Sequence, residues 1–187
     1  MKRNVRAQMQ DALVFQNVTE TGLTLDDVQQ RIMNFMTQDP QAAYHFVVGT
    51  DSQVFRGYTK FVTGIIIRRL GKGAWACYRQ VIVPRELRSL REKLAIETSL
   101  SQEIAGRFME TTIARMEDLL TPHVYKGASL ELFIDIDAGT HPVINKTSLY
   151  VKEMIERVEA MGMYAARVKP DSYAASAYAN RFTKQSV

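Results

Sequence analysis

Asp51 closes the apolar run FVVGT, Glu97 sits inside the helical pattern LREKLAIETSLSQEIAGRF, and Asp135 and Asp137 end the strand-like run SLELFIDID. Carboxylates gathered from separate segments suit hard cations such as Mg²⁺ or Mn²⁺, which prefer oxygen ligands and retain water. Two such ions about 3.5–4 Å apart activate a water and stabilise the leaving oxygen of a phosphodiester. Other chemistries lack their residues. There is no G-x-S-x-G elbow and no G-x-x-x-x-G-K-S/T phosphate loop. His45, His123 and His141 have no metal-ligand spacing. Cys77, the single cysteine, excludes a disulfide framework and a cysteine-based zinc site, and its strand-like context reads as core.

Each acid also has an ordinary structural explanation. Asp51 falls at the end of a run that reads as a central strand, where α/β folds place ligands, yet D-S-Q also suits a turn. Glu97 carries more information. At 3.6 residues per turn, Leu90, Leu94, Leu100, Ile104 and Phe108 all project within about 60° of it, so it lies inside the apolar stripe of its helix. A lone carboxylate there is costly unless protonated, paired or bound to a cation, and a salt bridge to Arg88 or Arg91 is the sober competitor. Asp135 and Asp137 share the face opposite Leu130, Leu132, Ile134 and Ile136. They could join Asp51, or simply mark a strand surfacing before a turn. Asp171, after Lys169-Pro170, reads equally as a helix N-cap. Lys60, Arg68, Arg69, Lys72, Arg79, Arg85, Arg88, Arg91 and Lys93 face only Glu86 and Glu92 in the same stretch. Such a run could line a phosphate backbone, although a solvated surface explains any single member. Lys169, Arg181 and Lys184 near the C-terminus are further candidates for phosphate contact.

The elements that must position these groups follow from periodicity. Residues 1–23 read as an irregular lead-in and residues 24–187 as one domain. Thr24 opens a helix with Leu25, Val28, Ile32, Phe35 and Met36 on one stripe. YHFVVGTD, KFVTGIIIRR and AWACYRQVIV are three strands with short connections, hence an antiparallel meander. A helical stretch, with room for an interruption, runs from about Glu86 to Leu120. SLELFIDID is the fourth strand, TSLYVKEMIERVEAMG a helix, MYAARVK the fifth strand and DSYAASAYANRF a short final helix. Crossover helices favour parallel pairing of the later strands, which gives a mixed five-stranded α/β sheet flanked by helices.

With 187 residues, 46% hydrophobic and 24% charged, the composition is that of an ordinary globular domain. The net charge of +4 neither demands nor excludes a polyanionic partner. No apolar run approaches the roughly 20 residues of a membrane helix, and the basic start MKRNVRAQMQDALVF lacks a signal-peptide core. A cytoplasmic protein with no membrane partner is expected.

The strings FVVGTDSQ, FVTGI, GKGAWAC, ETSLSQEIA, HVYKGAS, the D-I-D strand end and KPDSYAASAYANRFTK resemble the bacterial YkuK-like family, from about Val14 to Lys184. That largely uncharacterised family is placed in the ribonuclease H-like superfamily. The resemblance implies a sheet of order 3-2-1-4-5 and acids at Asp51, Glu97, Asp135 and Asp171. Where this chain reads D-I-D the family pattern reads D-I-G, so the match assigns Asp135 and leaves Asp137 as an additional metal-site acid. The expected activity is Mg²⁺- or Mn²⁺-dependent hydrolysis of RNA, an RNA–DNA hybrid or structured DNA. A non-catalytic nucleic-acid-binding or assembly module is the alternative of another class, and a small-nucleotide phosphatase a third. A homodimer is compatible with the sequence.

Overall fold

The computed structural model describes residues 13–109, 111–140 and 148–185. Helix α1, Leu25–Thr37, starts at a reciprocal cap: the Thr24 hydroxyl accepts from the Asp27 amide, and the Asp27 carboxylate accepts from the Thr24 amide. Its Val28, Ile32, Met33 and Met36 are buried. Strands β1 (Ala43–Phe55), β2 (Tyr58–Arg69) and β3 (Ala74–Val83) form the antiparallel meander. The tight β1–β2 turn places Gly57 at a φ of 87°, a conformation that glycine adopts without strain.

The helical stretch expected from about Glu86 to Leu120, with its allowed interruption, is two helices. Ser89 caps α2, Leu90–Gly106, by accepting from the Glu92 amide, and α3 covers Thr112–Leu120. Strand β4, Ser129–Gly139, lies parallel to β1, and after α4, Ser148–Glu159, strand β5, Ala165–Lys169, lies parallel to β4. The final helical segment is a π-helical turn at Ala174–Ala179 that runs into the short α5, Asn180–Thr183. The sheet order is β3-β2-β1-β4-β5, as the resemblance implied. Part of the lead-in joins this body. Phe15 bridges Leu23, Gln16 bridges Tyr78 on the outer edge of β3, and Phe15 and Leu23 are buried in the main core.

Strand alternation divides the sheet into two working faces. Phe46 and Val48 of β1, Ile65 and Ile67 of β2, and Ile134 and Ile136 of β4 pack in one core with Leu94, Ile104, Phe108 and Met116 from the helices. On the other face Val47, Ile66 and Val62 meet Ala174, Ala179 and Phe182 of the C-terminal segment. That approach is close: a Cβ on Gly49 would stand 2.6 Å from the Ala175 amide nitrogen, and one on Gly64 would stand 2.7 Å from the Tyr178 ring. The C-terminal segment is thereby pressed onto β1 and β2, along the face that carries Asp51.

Candidate active site

On β1, even positions look towards α2 and odd positions towards the C-terminal segment. Thr50 shares hydroxyl hydrogen bonds of 2.8 Å with Thr63 and with Ser101 of α2. The next even residue, Ser52, donates its hydroxyl to Glu97 at 2.5 Å. Glu97 is buried at 8% exposure, as its place in the apolar stripe requires. No salt bridge holds it among the described residues. Arg88 and Arg91, the expected competitors, pair instead with Glu86 and Glu153.

Asp51 faces the opposite way and is also buried. Its Oδ2 accepts from the Thr183 hydroxyl at 2.6 Å. Thr183 was not among the sequence candidates: it lies 132 residues from Asp51, and although it falls within the string KPDSYAASAYANRFTK, only the fold brings its hydroxyl to that acid. Lys60 helps to fix it there, donating from Nζ to the carbonyls of Phe182 and Gln185, both at 2.9 Å.

The two acids of β4 separate. Asp135 is opposite Gly49 on β1 and opposite Arg167 on β5. Its Oδ1 accepts from Arg167 at 2.7–2.8 Å, and its Oδ2 accepts from the Ala174 amide at 2.7 Å. Its bonds are thus taken by structure. Asp137 stands two residues past the Gly49–Asp135 rung, where the β4–β5 register is irregular between Asp135 and Gly139. It is half-buried, pairs with Lys169 at 3.0 Å, and lies close enough for its charge to act on both Asp51 and Glu97. The acids that influence one another are therefore Asp51, Glu97 and Asp137. Asp171 is exposed and lines a separate cleft with His45, Arg68 and Phe133, residues set six positions before Asp51 on β1 and four before Asp137 on β4.

Burial dominates the electrostatics of this group. It pushes Asp51 up to about 6, against the Thr183 hydrogen bond and with help from the neighbouring Asp137 charge. It pushes Glu97 up to about 8, opposed by the Ser52 hydrogen bond and reinforced by Asp51 and Asp137. Asp135 is also raised by burial, to about 6, although Arg167 and the Ala174 amide pull the other way. Acids lifted by desolvation and by one another are stabilised by a cation. The donor set is all oxygen, so in kind it fits Mg²⁺ or Mn²⁺. As the side chains stand, no three acidic, histidine or cysteine groups among the described residues converge on one ion position.

The basic run is largely occupied. Arg69 donates to Phe35 O and Tyr44 Oη, Lys72 pairs with Asp39, Arg79 with Glu103, and Arg85 with Glu92. With Lys60, Arg88 and Arg91 engaged as above, Arg68 and Lys93 are the members of that stretch without a carboxylate or carbonyl partner among the described residues. Arg181 and Lys184 are exposed at the C-terminal segment and Lys169 is half-exposed beside Asp137. His45 bonds Glu131, Cys77 is buried in the core, and His141 lies outside the described residues. No helix among the described residues is long and apolar enough to cross a membrane.

A mixed sheet of this order, with acids at the first strand, the first crossover helix and the fourth strand's end, defines a ribonuclease H-like domain. The Ribonuclease H-like family model matches residues 27–184, and the chain belongs to that family. Within it, the chain is 42% identical over 176 residues to the uncharacterized protein YkuK of Bacillus subtilis (strain 168). That alignment spans 94% of this chain and 100% of its relative. No solved structure matches the chain significantly.

Proposed function

We propose that the protein is a divalent-metal-dependent phosphodiesterase acting on nucleic acid, with Asp51, Glu97 and Asp137 as its metal-binding acids. The observation that carries this reading is the buried Asp51–Glu97 pair. Two carboxylates from different elements, hydrogen-bonded by the Thr183 and Ser52 hydroxyls and without a salt bridge among the described residues, have a third acid close enough to raise both. A group of like charges that destabilises itself is a poor structural device and a good cation site. Mg²⁺ or Mn²⁺ bound there would supply an activated water and stabilise the leaving oxygen. The chain's own residues would do the rest. Ser52 and Thr183 orient the two buried carboxylates, Lys60 holds the segment that carries Thr183, and Lys169 stands beside Asp137 where an incoming phosphate could exchange with it. Asp135, taken by Arg167, has a positioning role in this scheme, and Asp171 none.

The alternative, a binding or assembly module that keeps the fold, draws on the ion pairs Asp135–Arg167 and Asp137–Lys169, which neutralise two of the acids without metal. Calorimetry with Mg²⁺ and Mn²⁺ on wild type, Asp51→Asn and Glu97→Gln separates the two. The nuclease reading expects binding that either substitution removes, together with metal-dependent cleavage of at least one of single-stranded RNA, RNA–DNA hybrid or branched DNA. No heat at millimolar metal, with and without those nucleic acids, overturns it and leaves the binding module.

A further inference from the structure

The cleft that holds Asp171 is a second feature of the same sheet face, with a volume of about 420 Å³. Ligand pockets start at a few hundred Å³, and a single nucleotide fits one of this size. Its walls combine three chemistries. Arg167 lies across two rings, with its guanidinium carbon 4.4 Å from the Phe133 centroid and 4.3 Å from that of Tyr173. Arg68 is exposed, lies 5.4 Å from the Tyr173 centroid, and has no carboxylate at ion-pair distance among the described residues. Asp171, also exposed, has no cationic partner among them. The His45 ring packs edge-on against Phe133 at 5.0 Å, which completes a wall of flat groups.

Arg167 is neutralised by Asp135 and its guanidinium is covered by Phe133 and Tyr173, so it braces those rings in the cleft wall and leaves them, with His45, as the flat surfaces. Arg68 supplies the free charge, and Asp171 a carboxylate for N–H donors. A ligand matching all three has a flat ring, an anionic group and an N–H edge. Inorganic phosphate lacks the first and third, and a simple aromatic carboxylate lacks the N–H edge. We propose that this cleft binds a nucleoside monophosphate unit, its base against Tyr173 and Asp171 and its phosphate at Arg68. The same chemistry is presented by a free mononucleotide and by the phosphorylated end of a strand. The cleft does not need hydrolysis at the acid cluster, so its occupancy stands apart from the proposed activity.

The test is titration of the full chain, without metal, with AMP, GMP, CMP and UMP, with ribose 5-phosphate and inorganic phosphate as ring-free probes, and with a 5′-phosphorylated and an unphosphorylated pentanucleotide. At least one monophosphate is expected to bind tenfold or more tightly than either ring-free probe. Arg68→Ala, at an exposed position, should weaken it tenfold or more, Asp171→Ala should weaken the nucleotide but not ribose 5-phosphate, and Asp51→Asn should leave it unchanged. A phosphorylated pentanucleotide that outcompetes the mononucleotide identifies a strand end as the source, and the reverse identifies a free nucleotide. No saturable binding at 10 mM nucleotide, or binding that Arg68→Ala and Asp171→Ala both leave intact, overturns the proposal, as does equal affinity for inorganic phosphate. Loss of binding in Asp51→Asn would place the nucleotide at the acid cluster and overturn it too.

Discussion

Glu97→Gln should stabilise the metal-free protein, and should do so only at neutral and alkaline pH. The substitution keeps the shape and keeps an oxygen that can accept from Ser52, but removes the ionisable group from a site at 8% exposure. Glu97 is raised from an ordinary 4.5 to about 8 in the fold. Its ionisation therefore opposes folding. The penalty is absent below the unfolded value and grows as pH climbs towards the folded one. Working the linkage with these two values gives about 3 kcal/mol at pH 7 and less than about 1 kcal/mol at pH 5. For a chain of this length, about 3 kcal/mol corresponds to a midpoint shift of roughly 6–12 °C. Urea unfolding of wild type and Glu97→Gln with a chelator present, at pH 5, 6, 7 and 8, reads the whole curve. The reasoning fails if the variant is less stable at pH 7, or if its gain is the same at every pH. Either result would mean that Glu97 is already neutralised by a partner.

Three other substitutions probe the surroundings. Arg167→Ala leaves Asp135 buried without its counter-charge and should cost about 3–5 kcal/mol in urea unfolding; a loss below about 1 kcal/mol would show that the pair contributes little. Thr183→Val removes the hydrogen bond that favours ionised Asp51, so the carboxyl should titrate above the present value of about 6 by NMR, with about 1 kcal/mol of stability lost; an unchanged or lower value would contradict the assigned bond. Gly49→Ala places a methyl where the Ala175 nitrogen would be 2.6 Å away, so the C-terminal segment must shift. A cost of about 2 kcal/mol and faster amide exchange at 174–179 are expected, and a neutral substitution would refute the close packing.

The fold was legible because its elements alternate period and punctuation cleanly. Strand runs separated by LGKG and by helices of 3.6 periodicity leave few sheet topologies, and the resemblance named one of them. The differences lie where local signals compete. Within the pattern from Glu86 to Leu120, one helix starts at Leu90 behind the Ser89 cap and ends at Gly106, and a second covers Thr112–Leu120. Phe15 was unreadable because a single bridged residue in a polar lead-in has no period. Its burial depends on Leu23 and the β3 edge, which come together only in three dimensions.

The candidate site was legible in the burial of Asp51 and Glu97 and ambiguous at the end of β4. Glu97 announced itself as a charge within an apolar stripe, and Asp51 by its place at the close of an apolar strand. Asp135 and Asp137 are equivalent by periodicity, because strand alternation puts both on one face, and family pattern favoured the first. What separates them is β5. Arg167 is the register partner of Asp135, whereas Lys169 aligns with Gly139 beyond the register shift and reaches Asp137 through its side chain. The buried rung, with Arg167 packed between Phe133 and Tyr173, holds Asp135 in an ion pair. Beyond the register shift the Asp137–Lys169 pair is half-exposed. The register shift thus separates two acids that periodicity makes equivalent, one in a buried ion pair and one in a half-exposed pair.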